Sequence, residues 1–273
     1  MGLLFVDVGP RGIVIGSDSQ DVILYNNRYR IRSSSSFRKD KVLQLQLPKF
    51  GGFLGYIGTE NIGQESMRNW LDRFVNANSA TKLDSFCNAL AQSLSREWQK
   101  RNLKSGLWVF VTGYENRKPR FWFVNNIDSM DLKTGLYFGI RGNFKAVNDL
   151  EENYIKPRLQ QGMSRKKLLK GTIFHFRNGV IFPFAQVYTE FNRILESLAH
   201  GPDRGFGRIR TLRRFAFAAR QRLELVKRLY SKKHGLYQKT ESPIEGEVNI
   251  YCISSTCQAF KVHKESFDRL GAT

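Results

Sequence analysis

The chain has 273 residues, 41% hydrophobic and 13% aromatic, which is ample material for a buried core and excludes general disorder. No window approaches about eighteen uninterrupted apolar residues, and no basic leader followed by a long apolar stretch opens the chain; the expectation is a cytoplasmic protein without a membrane span. The formal net charge of +20 points toward an anionic partner, either an acidic protein surface or a nucleic acid.

The opening residues predict strand, turn, strand: Leu3 to Val8, then Gly9-Pro10-Arg11-Gly12, then Ile13 to Ser17. A basic, serine-rich stretch, RYRIRSSSSFRKDK, reads as a solvated interruption. After it, Val42 to Leu47 alternates apolar and polar residues as a half-buried strand requires, and the glycine-dotted strand FGGFLGYIG follows. Two amphipathic helices come next. One aligns Met67, Trp70, Leu71 and Phe74; the other aligns Leu83, Phe86, Cys87, Leu90, Leu94 and Trp98. Leu107 to Thr112 and Pro119 to Val124 read as a hairpin, and Leu136 to Ile140 as a further strand.

From Phe144 the pattern turns mostly helical, over Tyr154 to Leu159, Pro183 to Leu198 and Thr211 to Tyr230. The last of these has an apolar stripe of Leu212, Phe215, Ala219, Leu223, Val226 and Tyr230. Arg213, Arg220, Arg222, Lys227 and Arg228 lie off the stripe and read as its solvated side. Between residues 201 and 240 twelve Lys or Arg face only Asp203 and Glu224, so this segment carries half of the net charge. Strands return with Val248 to Ser254 and Gln258 to Val262. With no internal repeat and no long linker, residues 1–273 read as one α+β domain that includes a basic helical segment at 201–240.

Residues that could carry chemistry are scattered. Cys87, Cys252 and Cys257 lack zinc-ligand spacing, and free thiols are their expected state. His175, His200, His234 and His263 show no metal spacing and no pairing with a nucleophile, so neither a metal nor another cofactor is expected. Ser17 and Ser19 flank Asp18 in a Ser-Asp-Ser run expected to bond its own backbone.

The order of GPRGIVIGSDSQ, KVLQLQLPKFGGFLGYIG, the helix pair, WVFVTGYENRKPRFWFV and IEGEVNIYCISS resembles the proteasome β-subunit branch of the N-terminal nucleophile hydrolases, over nearly the whole chain. The resemblance implies a four-layer αββα sandwich. It also implies a chemistry in which the free amine of an N-terminal Thr, Ser or Cys serves as base for its own side chain. Carried over, the family's site aspartate falls on Asp18, its lysine on Lys41 and its oxyanion glycine near Gly58, while the nucleophile position falls on Gly2. Glycine offers no nucleophile. Arg141 stands where a supporting serine belongs, and Glu241 and Ile244 replace the aspartate and the second supporting serine.

Three functions stay open on this reading. The first is a non-catalytic proteasome-like protein acting in assembly or binding, with self-association into a ring implied by the resemblance. A hydrolase with a noncanonical nucleophile is the second. The third is a polyanion-binding protein that uses Arg213, Arg214, Arg220, Lys227 and Arg228 on an acidic protein or a nucleic acid.

Overall fold

A computed structural model describes residues 3–18, 22–25, 28–31, 40–130, 137–179, 189–190, 192–194, 211–230 and 248–262. Within them the chain is mixed helix and strand, and every strand pairing is antiparallel. One five-stranded sheet joins β1 (Leu3–Gly9), β2 (Gly12–Asp18), β12 (Phe174–Gly179), β13 (Val248–Ile253) and β14 (Ala259–Val262) in the order β12-β1-β2-β13-β14. The other joins β5 (Val42–Leu47), β6 (Phe50–Gly58), β9 (Leu107–Glu115), β10 (Lys118–Met130) and β11 (Tyr137–Val147) in the order β11-β10-β9-β6-β5. Two small hairpins, β3 (Val22–Tyr25) with β4 (Arg28–Ile31) and β7 (Asn61–Ile62) with β8 (Glu65–Ser66), lie outside both sheets.

The helices are α1 (Met67–Ala77), α2 (Leu83–Lys100), α3 (Lys156–Gln160), α4 (Arg165–Gly171) and α5 (Leu212–Tyr230), and a π-helical turn at Leu150–Ile155 runs directly into α3. Ser66 caps α1 by accepting the Asn69 N–H at 3.2 Å. The buried faces of α1 and α2 share a core with Leu45, Leu54, Val109, Val111 and Val124 of the second sheet, as the helical spacing predicts.

The hairpin β1–β2 is buried along almost its whole length, so its alternating side chains meet different neighbours on its two faces. On one face Leu4 and Ile15 meet β6. A Cβ placed on Gly55 would fall 2.9 Å from Leu4 Cδ1 and 3.0 Å from Ile15 Cδ1, so glycine there lets the two sheets approach. Phe176 of β12 belongs to the same face and stacks on Phe121 of β10, with ring centroids 3.8 Å apart. On the opposite face Phe5 and Asp7 meet α5, where the Arg222 guanidinium lies 4.8 Å from the Phe5 ring centroid.

Four readings depart from the sequence expectation. Arg28–Ile31, the start of the basic stretch read as an interruption, is strand β4, paired with β3. The strand begun near residue 137 continues to Val147 instead of giving way to helix at Phe144, because Lys145, Ala146 and Val147 pair with Asn125, Val124 and Phe123 of β10. Phe174–Gly179, inside the region read as mostly helical, is a strand that covers the open edge of β1. Arg220 and Arg222 do not belong to a solvated side of their helix. Arg222 is only 1% exposed, because Asp7 on the sheet beneath α5 supplies a buried counter-charge, and Arg220 is 9% exposed with Glu224 of the same helix 3.7 Å away. The proposed helix at Pro183 to Leu198 falls mostly outside the described residues, as does the four-serine stretch.

Arg222 Nη2 lies 2.5 Å from Asp7 Oδ2, His175 Nδ1 lies 2.7 Å from Asp7 Oδ1, and Arg177 Nη2 lies 4.0 Å from the same oxygen. Burial pushes the Asp7 carboxyl up, but Arg222, His175 and Arg177 together outweigh it and hold the group well below the ordinary aspartate range. A depressed folded pKa contributes stability above the unfolded value of about 3.9, and that contribution is lost as pH falls. Urea unfolding between pH 7 and pH 3 therefore loses stability below about pH 4 in the native chain, and less steeply in Asp7→Asn. Arg222→Ala leaves the carboxylate short of its nearest cation and lowers stability by about 3–5 kcal/mol at pH 7.

Candidate functional site

Asp18, Lys41 and Gly58 stand on neighbouring strand ends. Asp18 closes β2, Lys41 immediately precedes β5, and Gly58 closes β6. The Leu3 N–H donates to Asp18 Oδ1 at 2.8 Å, so the carboxylate ties the start of β1 to the end of β2. Lys41 Nζ reaches the same oxygen at 3.4 Å. The Lys41 carbonyl accepts the Tyr56 N–H at 3.1 Å, which fixes the lysine backbone two residues before Gly58. Gly58 has φ +119, and a Cβ there would fall 2.3 Å from the Gly106 carbonyl oxygen, so the turn out of β6 requires glycine.

The pair is deeply buried: the side chains are 5% exposed for Lys41 and 0% for Asp18. Desolvation raises the Asp18 pKa above its ordinary value, and Lys41 and the Leu3 N–H offset it only in part. Among the described residues, Asp18 Oδ2 and the neighbouring Ser17 Oγ are buried without a hydrogen-bond partner. Ser17 is thus not the backbone-bonded turn residue expected from the Ser-Asp-Ser run; it is a strand residue whose hydroxyl finds no hydrogen-bond partner among the described residues.

Other expected positions are less concentrated. Arg141 turns away to Asp128, with Nε 2.7 Å from Oδ1, and its Nη2 donates to the Ile127 carbonyl at 2.8 Å. Arg213 and Arg214 are exposed at the start of α5, and Arg220 lies 3.7 Å from Glu224. The side chains of Lys227 and Arg228 lie outside the described residues, as do Gly2, Ser19, His200, His234, Glu241, Ile244 and His263. Cys87 and Cys252 are buried free thiols whose pKa values burial raises; Cys257 is half-buried and free. Among the described residues no helix is long and apolar enough to cross a membrane.

The Asp7–His175 contact joins residues 168 apart, and the scattered histidines gave no sign of it. A signal existed at both ends: Asp7 is a lone acid in the apolar run LLFVDVG, and FHFR alternates Phe174 and Phe176 with His175 and Arg177.

No family model matches the chain. No curated protein matches it either. Among solved structures it is similar to a mutant of Anbu from Hyphomicrobium sp. strain MC1, with 9% identity, a TM-score of 0.48, and coverage of 100% of this chain and 94% of that one. A likeness of that quality runs the length of the chain without fixing its family.

Asp18 has a raised folded pKa, so its ionisation opposes folding: relative stability falls as pH rises from the unfolded value through the raised folded one. Asp18→Asn removes that decline. Lys41→Met leaves the carboxylate without its cation, so a loss of about 3–5 kcal/mol is expected near neutral pH, read from urea unfolding of the three proteins side by side.

Proposed function

We propose that the chain is a proteasome-subunit-like protein, a single αββα domain over residues 1–273 that acts in assembly or binding without the hydrolase chemistry. The observation that carries this reading is the buried Asp18–Lys41 pair, which holds the Leu3 N–H at the start of β1, one residue after Gly2. An N-terminal nucleophile site needs a cation and a carboxylate beside the first strand to tune an amine and a hydroxyl or thiol. Here both charges are present, and the residue they would serve is a glycine. Helices α1 and α2 against the second sheet and α5 against the first support the layered arrangement.

The alternative of a hydrolase with another nucleophile looks to Ser17, the one of the two serines flanking Asp18 that lies within the described residues. Its Oγ is buried and no base lies within hydrogen-bond reach among the described residues, which speaks against it. The polyanion-binding alternative keeps Arg213 and Arg214 as exposed cations, but Arg222 is engaged by Asp7 and Arg220 is buried. An affinity for nucleic acid that falls steeply with salt would favour that alternative.

Self-association into a ring belongs to the proteasome-like reading. So does a location in the cytoplasm.

The test is intact-mass spectrometry before and after exposure to an epoxyketone or β-lactone, with a proteasome-reactive control. The expected result is an unmodified chain beside a labelled control. A stoichiometric adduct mapped to the chain start, Ser17 or a cysteine would overturn the non-catalytic reading and name the nucleophile.

A further inference from the structure

A groove of about 760 Å³ runs between α2 and β11. One wall is Asn88, Ala91, Gln92, Ser95 and Arg96 of the helix, and the other is residues 143–147 of the strand, taken consecutively. Five strand residues span about 17 Å of extended chain. Residues 88–96 span about 13 Å of helix beside them. Among the described residues β11 is the last strand of its sheet: it pairs with β10 on one edge and with no strand on the other.

That open edge is the one that faces the groove. The Phe144 N–H points away from β10 and donates to Ser95 Oγ at 2.8 Å. In an antiparallel strand the main-chain groups of alternate residues face the same edge, so those of Ala146 face the groove as well. Among the described residues nothing bonds the Ala146 main chain on that side. The strand is also held firmly: Phe144 packs edge-on against Trp98 at 4.9 Å, and Ala146 packs on the same core. A fixed strand edge beside a helix accepts an extended segment as one more strand, with main-chain N–H and C=O groups supplying the affinity.

The side chains decide which segment. A strand added to β11 carries two rows of side chains, one over α2 and one on the opposite face. The first row meets Ala91, Phe144 and Ala146, with Arg96 exposed at the rim. The second meets Asn143 and Lys145, both exposed. No acidic side chain lines the groove, and a lysine on the edge favours a carboxylate across from it. A second copy of the chain brings +20 of like charge. A phosphate backbone supplies acceptors alone and leaves the strand's C=O groups unmatched. We propose that the edge of β11 binds an extended acidic peptide segment of a partner protein, about five residues long, in which acidic and apolar residues alternate. The acidic residues lie beside Lys145 and the apolar ones over α2. This surface is separate from the Asp18–Lys41 pair, so its failure leaves the non-catalytic reading standing.

The test is fluorescence anisotropy at pH 7 and physiological salt with a short fluorescein-labelled peptide of alternating glutamate and valine. Saturable binding of one peptide per chain is expected, with the lysine and valine counterpart weaker by about tenfold or more. Methylating the main-chain nitrogens of the valines, and separately those of the glutamates, keeps every charge; the set that faces β11 is expected to lose saturable binding and the other to retain it. Arg96→Glu with Lys145→Glu is expected to weaken the acidic peptide about tenfold. Arg213→Glu with Arg214→Glu makes the same change of charge at the start of α5 and is expected to leave affinity within about twofold. All four positions are exposed, and urea midpoints check that both variants fold. The proposal is overturned if the two double variants weaken binding equally, if neither methylated peptide loses affinity, if an oligothymidylate displaces the peptide, or if millimolar peptide gives no saturable signal with the folded native chain. Self-association in sedimentation velocity that Lys145→Glu abolishes makes a second copy the occupant and overturns it too.

Discussion

Two carboxylates sit on one hairpin that is buried on both faces, and a carboxylate inside a protein has to be compensated by charge or hydrogen bonds or else give up its ionisation. Asp7 is compensated by Arg222 from α5 and by His175 and Arg177 from β12, segments more than 160 residues away in the chain. Asp18 is compensated by Lys41 and the Leu3 N–H, and only in part. Hydrophobic burial is non-directional and would tolerate several ways of laying α5 on the first sheet. The ion pair to Arg222 is directional and selects one of them.

The same constraint reassigns the chain's basic character. A helix with five cations off its apolar stripe suggests an anion-binding surface, yet two of those cations are withdrawn from solvent, one of them to satisfy an acid in the sheet below. Asp7 also engages His175 on the neighbouring strand, with Nδ1 2.7 Å from Oδ1.

Much of the strand and helix content was legible because it repeats a short pattern. The alternation of Val42 to Leu47 and the stripes at Met67-Trp70-Leu71 and Leu83-Phe86-Leu90-Leu94 report burial directly. The nearness of Asp18 to Lys41 was legible only through resemblance, since nothing in the spacing of residues 23 apart reports a 3.4 Å contact. The strand at Phe174–Gly179 escaped because its six residues stand between segments of helical pattern, and because what makes it a strand is the exposed edge of β1, a feature of tertiary structure. The burial of Arg222 escaped for a related reason. Helical periodicity sorts residues by face, but it does not show that the sheet below offers a counter-charge at one point on that face.

The most direct test of this account is a titration of the aspartate side-chain carboxyl ¹³C resonances by NMR, assigned with Asp7→Asn and Asp18→Asn. The account predicts opposite behaviour on one hairpin: Asp7 stays ionised down to the acid limit of folding, while Asp18 takes up its proton above the ordinary aspartate value of 3.8. Two aspartates titrating together near that ordinary value would mean that neither is held as described, and would contradict the placement of Arg222 and Lys41 against them.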